Sequence, residues 1–401
     1  MTPFSYHLKL RDYFKQEKKT WDWFANAKIQ QQAAEEFKNE LLRNSYRLTP
    51  ESEDDIYTIL NACKTKLGIQ IPVIIYQSTT SSDLNAGISF MGNEAHLVLT
   101  GQIVKLLNKD ELKALIAHEL GHVLFYQTEQ GELEITARII TSIANDASAK
   151  MVYYETARIF QLYLELYCDK VAALVVENND IVIETLVKIS TGLTAVSAQS
   201  YLQQTEEILS KQTLSNGETH PELYIRAKAL YLYKENAATA EIQLSALIEG
   251  KMSLETIDLF FQQQLTEDTR FLLSIVTKPR WMRTETIHAL CCRYFSGFNY
   301  NNNAILTQEK RKAFLAYTES IARYFSYVLL DFVWADAALE DAPLAFALEI
   351  AENIGVAPFL EAAIKKEKKL TDRQWKETVS KSNVSLSQIP ESEKEYIFES
   401  L

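Results

Sequence analysis

Two histidines and a glutamate form a short pattern whose spacing suits metal-assisted hydrolysis. His118, Glu119 and His122 stand in the string His-Glu-Leu-Gly-His. On a helix, residues four apart share one face, so the two imidazoles are placed to hold one tetrahedral Zn²⁺. Glu119 would lie beside the open coordination position, where it takes a proton from the metal-bound water. The pattern therefore predicts one zinc ion per chain, with Glu119 as the catalytic base.

The residues around this pattern strengthen the zinc interpretation. Apolar residues precede it at 114–117 and follow it at 123–125, so the helix is predicted to be buried. Two imidazoles inside a buried helix need polar partners, because burying an unpaired polar group is unfavourable. The alternative is a pair of hydrogen-bonded core histidines. The chain has 6 histidines, and a chance match to this pattern is expected in roughly one such chain in a hundred.

A third protein ligand is required, and the candidates lie on a later helix. Glu165 is the best of them, because it lies in an apolar helical segment where an isolated carboxylate would be costly. Asp169 follows four residues later on the same face and can hold a ligand histidine through its second ring nitrogen. The alternative is that both are solvated acids on an amphipathic helix, with Arg158 and Lys170 as partners.

The elements that must position these side chains are mostly helical. Asn108 and Glu111 have the spacing of a capping box at the start of the zinc-binding helix. Helical patterns also cover residues 133–177 and 180–210; a loop is predicted from Asn216 to Pro221, followed by a further helix to about Tyr233. Three short segments predict a small antiparallel sheet: Ile71–Tyr76, Asn85–Met91 and His96–Thr100. The predicted fold class is therefore α+β, mainly α.

Three regions follow from these patterns. Residues 1–48 are predicted to form a helical segment that packs on a central domain, residues 49–235, which contains the metal site. Residues 236–401 show only helical patterns and loops, which predicts an all-α C-terminal domain. Its last part, residues 372–401, is predicted to be a looser tail.

Composition limits the classes of function. The chain of 401 residues has only 11 glycines and 8 prolines, which favours long helices. Its net charge of −12 argues against a sequence-independent nucleic-acid binder and against simple docking on anionic membranes. The sequence shows no apolar run of about 20 residues, so we predict no integral membrane segment. No signal-peptide pattern is visible either, and the predicted location is cytoplasmic.

The 4 cysteines do not form a metal-binding or disulfide pattern. Cys63, Cys168, Cys291 and Cys292 are predicted to be free thiols in a reducing compartment. Cys168 adjoins Asp169 and is a conceivable soft metal ligand. Because a helix directs it away from Glu165, it is predicted to pack in the core instead.

The order of the motifs resembles a known family. Residues from about 50 to 232 resemble the HtpX-like and CAAX-prenyl-protease-like (Oma-type) zinc metallopeptidases, a gluzincin group. The likeness rests on four motifs: Asn85-Ala86, Leu112 to His122, Glu165 to Asp169, and Thr219-His220-Pro221 with Arg226. Two departures are Gln161-Leu162 and Cys168, which stand where the family often has Ser-Arg and Ala. The transmembrane helices of the membrane-embedded relatives are also missing from the pattern.

The resemblance implies a zincin-like domain in which His118, His122 and Glu165 bind Zn²⁺ and Glu119 activates water. It implies that Asp169 supports a ligand histidine.

The same resemblance implies roles for the flanking motifs. Arg226 would hold the Asp169 region in place. His220 would face the active site, where it either stabilises the oxyanion or caps the metal; a plain surface residue is the alternative. Asn85 and Ala86 would begin the strand on the substrate side.

Together these features predict a soluble zinc endopeptidase for extended or unfolded polypeptides. The substrate main chain is predicted to pair with the strand His96–Thr100, so that His96, Leu97, Val98 and Leu99 lie along it. His96 would act as a side-chain wall.

Two other functions stay open. One is a scaffold whose C-terminal helical domain binds a protein partner, with a latent or structural zinc site. The other is a zinc aminopeptidase, which would need an additional acidic pocket for the substrate α-amine.

Overall fold

The computed structural model describes residues 1–79, 83–211, 214–235, 237–395 and 397–399, of which 27–34, 237 and 238 are described by their backbone alone. It divides into two compact units, Met1–Gly250 and Lys251–Leu401. The first unit therefore extends beyond the predicted boundary at 235/236; Asn236 itself lies outside the described residues. The reason is the helix Ala237–Ile248, whose Leu244 is fully buried in the first unit.

The first unit combines helices with a small sheet. The helices are α1 (Ser5–Gln16), α2 (Lys18–Phe24), α3 (Ala27–Asn44), α4 (Asp54–Leu67), α5 (Ile103–Leu106), α6 (Lys109–Gln127), α7 (Glu132–Ala144), α8 (Met151–Val176), α9 (Asn179–Thr191), α10 (Ala198–Leu209), α11 (Leu223–Glu235) and α12 (Ala237–Ile248). A short 3₁₀ helix spans Thr128–Gly131. The single helical stretch predicted for 133–177 is wrong in one respect, because residues 145–150 separate α7 from α8.

The sheet has the strands β1 (Ser45–Arg47), β2 (Val73–Ser78), β3 (Asn85–Phe90) and β4 (Ala95–Thr100), in the order β1-β2-β4-β3. The three predicted strands are present, but the predicted antiparallel arrangement is wrong for one pair, because β2 and β4 are parallel. The chain leaves β2, forms β3 at the edge of the sheet, and returns through a hairpin. The second strand of this hairpin, β4, lies between β3 and β2 and therefore runs parallel to β2. β1, which the sequence did not predict, pairs with β2.

Helices α6 and α8 form the centre of the first unit. Asn108 and Glu111 close the predicted capping box at the start of α6. Farther along, a Cβ on Gly121 would lie only 3.0 Å from the Cα of Cys168 on α8. A side chain at this position would be tight against α8 and would require a shift of a few tenths of an ångström, so glycine suits the close packing of the two helices. Because α6 and α8 lie so close together, side chains of α6 can contact side chains of α8.

Helix α1 is fastened to the α6–α8 pair by a buried histidine. The His7 imidazole lies 4.7 Å from the ring of Phe125 and 4.7 Å from that of Phe160, measured between centroids. Its Nε2 donates a hydrogen bond to the Phe160 backbone oxygen at 3.0 Å. Burial lowers the pKa of His7 to about 3, although this hydrogen bond acts in the opposite direction. His7 therefore stays neutral in the folded protein at ordinary pH.

This burial predicts a specific acid sensitivity. Between pH 6.5 and about 3 the unfolded chain binds a proton at His7 that the folded chain does not, so stability falls as the pH falls. From pH 7.5 to pH 5 this group alone should cost about 2 kcal/mol of unfolding free energy. Urea denaturation of the full chain and of His7→Phe at both pH values measures the effect. The variant should lose less stability on acidification; an equal loss would contradict the prediction.

The second unit is helical in the part of the chain that the structure describes, apart from one isolated bridge between Leu306 and Phe398. Its helices are α13 (Leu259–Val276), α14 (Glu285–Tyr294), α15 (Gln308–Leu315), α16 (Glu319–Val333), α17 (Ala342–Asn353), α18 (Ala357–Lys368) and α19 (Asp372–Gln388), with 3₁₀ turns at Arg280–Met282 and Ala337–Leu339. The looser tail predicted from 372 is wrong up to 388, because a capping box begins α19 and Trp375 is buried. None of the described helices is long and apolar enough to cross a bilayer.

Candidate metal centre

The histidines of α6 face a carboxylate on α8. The Nε2 atom of His118 lies 3.3 Å from one Glu165 oxygen, and the Nε2 atom of His122 lies 3.6 Å from the other. The two imidazole centroids are 5.4 Å apart. The structure therefore brings together three side chains from two helices, with each imidazole facing a different oxygen of the same carboxylate.

Glu165 is the part of this cluster that most needs a cation. Only 2% of the residue is exposed, and its Oε2 atom has no hydrogen-bond partner of good geometry among the described residues. Burial raises the pKa of this carboxyl, but His118, His122 and Arg226 outweigh burial and lower it, so it is ionised. A buried carboxylate with an unsatisfied oxygen is costly unless a positive charge is near. Two imidazole nitrogens and one such oxygen are the donor set that suits Zn²⁺.

Asp169 fixes the orientation of His118. Its Oδ1 atom lies 3.0 Å from the Nδ1 atom of His118, which leaves Nε2 facing Glu165. Arg226 on α11 donates two hydrogen bonds to the same carboxylate, at 2.7 and 2.6 Å. Burial raises the pKa of Asp169, but Arg226 and His118 more than offset it, so the pKa is lowered. The negative charge that supports His118 is thus itself held by Arg226.

The protonation of the two histidines differs. Burial lowers the pKa of His118, yet Asp169 and Glu165 outweigh it and raise the pKa to about 10. Burial lowers the pKa of His122 to about 4, against the pull of Glu165. His122 is therefore neutral, the form in which an imidazole binds metal.

Glu119 lies beside this cluster and faces a cavity of about 350 Å³. Burial raises its pKa to about 7, partly offset by His118 and by a hydrogen bond from the Ile88 backbone. A carboxylate with a pKa near 7 can both take up and release a proton at neutral pH. Its position and its pKa suit a general base.

His220 reaches the cluster from the loop before α11. Its Nε2 atom lies 3.6 Å from Glu165 Oε2, although the side chain is largely exposed. Its Nδ1 atom lies 2.9 Å from the hydroxyl of Thr219. The structure thus places His220 at the same cavity as Glu119.

The substrate strand is where the sequence prediction needs correction. Asn85 and Ala86 on β3 line the cavity. His96, Leu97, Val98 and Leu99 do not, because they lie on β4. This strand pairs with β2 on one side and β3 on the other, so its main chain has no free edge for a peptide.

His96 also lies away from the site. It is buried, with its ring 5.8 Å from that of Tyr76 and 6.2 Å from that of Phe37. Its role as a wall for the substrate is therefore wrong.

Cys168 is the other candidate ligand near the histidines. Its Sγ atom lies within 4.8 Å of ring nitrogens of His118 and His122. It is fully buried under Gly121, however, and does not line the cavity, whereas Glu165 does. Burial also raises the pKa of the thiol, which disfavours the thiolate that a metal requires. The geometry therefore favours Glu165.

Several neighbours of the site were given no role in the sequence analysis. Gln161 donates a 3.4 Å hydrogen bond to Glu165, and Tyr126 lines the cavity. Gln161 is one helical turn before Glu165, so helix spacing alone would have indicated it. The contribution of the Ile88 backbone has no such sequence signal.

Comparisons with known proteins agree with this geometry. Residues 50–233 match the family model of peptidase family M48. The chain is also 28% identical over 151 residues to the plastoglobule-localized metallopeptidase 48, chloroplastic, of Arabidopsis thaliana, a match that covers 36% of this chain and 42% of that protein. No solved structure matches the chain.

The helix pair, the convergent histidines and the buried glutamate define a metallopeptidase-type domain. The family match of residues 50–233 to peptidase family M48 confirms the predicted resemblance to a zinc metallopeptidase family. The match spans less than half of the Arabidopsis relative, and the second unit lies outside it.

Proposed function

We propose that this protein is a zinc-dependent endopeptidase that cuts extended or unfolded polypeptides. The observation that carries the proposal is the convergence of His118, His122 and the unsatisfied Glu165 carboxylate beside a cavity that contains Glu119. These three side chains would hold Zn²⁺. When bound, the ion supplies a Lewis acid that polarises the scissile carbonyl and makes water more acidic.

The residues of the chain would perform the proton transfers. Glu119 takes a proton from the attacking water and passes it to the leaving amine, a task for which a pKa of about 7 is suited. His220 lines the same cavity, and in the tautomer whose Nδ1 accepts a hydrogen bond from the Thr219 hydroxyl the ring proton is on Nε2. In that tautomer His220 donates a hydrogen bond to the developing oxyanion.

The free edge of β3 is the proposed docking site for the substrate main chain. Among the described strands, β3 pairs with β4 alone, and Asn85, Ala86 and Ile88 line the cavity. The hydrogen bond from the Ile88 backbone to Glu119 indicates that this edge faces the catalytic base. An extended peptide would add to the sheet here by main-chain hydrogen bonds.

One wall of the cavity favours an apolar substrate side chain next to the cut. This wall consists of Leu115, which lies about one turn before His118 on α6, and of Val182, Leu186 and Ile189 on α9. An apolar group placed here loses contact with water without losing hydrogen bonds.

The acidic residues of this cavity support an endopeptidase over an aminopeptidase. Among the described residues, its carboxylates are Glu119, Glu165 and Asp169. Each already has a role in the proposed mechanism, so none is left to bind a substrate α-amine.

A protease assay with end-group analysis tests the proposal. The zinc-loaded chain should cut a reduced, alkylated protein at internal sites, a chelator should abolish cleavage, and added Zn²⁺ should restore it. Stepwise release of N-terminal residues would indicate an aminopeptidase instead. If a zinc-loaded sample cuts nothing in a broad peptide library, the scaffold function becomes the better account.

A further inference from the structure

The position of His220 depends on the loop that carries it. The side chain is more than half exposed, and among the described residues the polar contacts of its ring are those to Thr219 and Glu165 given above. An exposed imidazole with so little packing would sample many orientations unless its backbone were fixed. The contacts that hold the loop therefore decide whether His220 faces the cavity.

Arg158 holds the loop from α8. It lies seven residues before Glu165, about two helical turns, so both residues project from the same side of this helix. The Nη1 atom of Arg158 donates a 2.9 Å hydrogen bond to the backbone oxygen of Gly217. The rest of the guanidinium is fixed by Glu155 through two hydrogen bonds, at 2.9 and 2.7 Å. The arginine is thus a rigid anchor on the same helix as Glu165.

Gly217 connects the Arg158 hydrogen bond to the backbone of His220. A Cβ atom at Gly217 would overlap the backbone oxygen of His220, so the turn between them closes only because this residue is glycine. The Gly217 carbonyl that Arg158 binds and the His220 backbone are therefore parts of one tight turn.

A second set of contacts fixes the start of the loop. The Glu222 carboxylate accepts hydrogen bonds from the Ser215 hydroxyl at 2.8 Å and from the Asn216 backbone at 2.7 Å. These hydrogen bonds join the two ends of the loop 215–222 to each other. Arg158 joins the loop to α8, the helix that carries Glu165.

We propose that Arg158 is a positioning residue that acts through His220: by holding the Gly217 turn against α8, it keeps the imidazole aimed at the reacting carbonyl. This inference rests on the proposed function. It assigns no contact between Arg158 and substrate or metal. Its expected signature is a loss of turnover that exists only while His220 is present.

A double-mutant cycle tests this role. Arg158→Met should lower kcat about 10- to 100-fold with Zn²⁺ affinity unchanged, because a displaced catalytic group costs rate rather than metal binding. His220→Ala should lower kcat by about 100-fold or more. In the His220→Ala background, Arg158→Met should have little further effect. Arg158→Lys, which keeps one donor for the Gly217 carbonyl, should recover part of the rate.

A matched control separates positioning from general destabilisation. Arg138 on α7 makes the same kind of bidentate pair with Glu134, at 2.5 and 3.0 Å, and does not line the metal-site cavity. Arg138→Met should leave kcat unchanged. Gly217→Ala disturbs the turn without removing a charge, and its effect should also vanish in the His220→Ala background. It serves as the test if Arg158→Met does not fold.

The outcomes distinguish this inference from the function on which it rests. If the wild-type chain cuts nothing, the proposed function fails. If the wild type is active but the Arg158 and Gly217 substitutions reduce kcat by the same factor with and without His220, the positioning role is overturned.

Discussion

Glu119→Gln is expected to slow peptide cleavage by about 10²- to 10⁴-fold while leaving Zn²⁺ bound. Glutamine has nearly the same size as glutamate but cannot accept a proton from water at neutral pH. Because general acid–base catalysis contributes about 10²- to 10⁴-fold, kcat should fall by that factor. The metal should remain, since the proposed ligands are His118, His122 and Glu165. Metal analysis and steady-state kinetics on the same sample measure both effects.

A control on the same helix makes the Glu119 result specific. Asp110 is an exposed carboxylate in the first turn of α6. Asp110→Asn changes the charge of the chain by the same amount and should retain activity. If Glu119→Gln still cleaved at the wild-type rate with zinc bound, the mechanism would have the wrong base.

Glu165→Gln is expected to lower zinc affinity by about 100-fold or more. Loss of an outer residue that merely supports a ligand already costs about 10- to 100-fold, so loss of the charged ligand itself should cost at least as much. The amide keeps the size of the side chain and removes its negative charge. Competition with a zinc-binding dye measures the dissociation constant.

Cys168→Ala provides the matched comparison, because Cys168 lies on the same helix and near the same histidines. This variant should bind Zn²⁺ as the wild type does. The reverse pattern, with affinity lost in Cys168→Ala and kept in Glu165→Gln, would replace the carboxylate ligand with a thiolate.

Local sequence spacing explains how much of this site was predictable. His118, Glu119 and His122 belong to one helix, whose start was visible in Asn108 and Glu111. Glu165 and Asp169 were found because carboxylates in an apolar helical pattern need partners. Such arguments need only the periodicity of a helix, which the sequence records directly.

Contacts between distant segments were not predictable in this way. The place of β4 between β2 and β3 depends on which strands meet, and the period of a single strand does not record its neighbours. For this reason the strand pattern predicts His96 beside the substrate, although the structure buries this residue. Arg158 and Gly217 are 59 positions apart in the chain. They are in contact because the folded chain places α8 next to the loop that precedes α11.

X-ray absorption spectroscopy of the zinc-loaded chain tests the central claim most directly, since it reports the atoms bound to the metal. The account predicts only nitrogen and oxygen neighbours at about 2.0–2.2 Å, two of them imidazoles, with the oxygen signal altered in Glu165→Gln. A sulfur neighbour at about 2.3 Å, or a zinc that binds without either histidine, would contradict it.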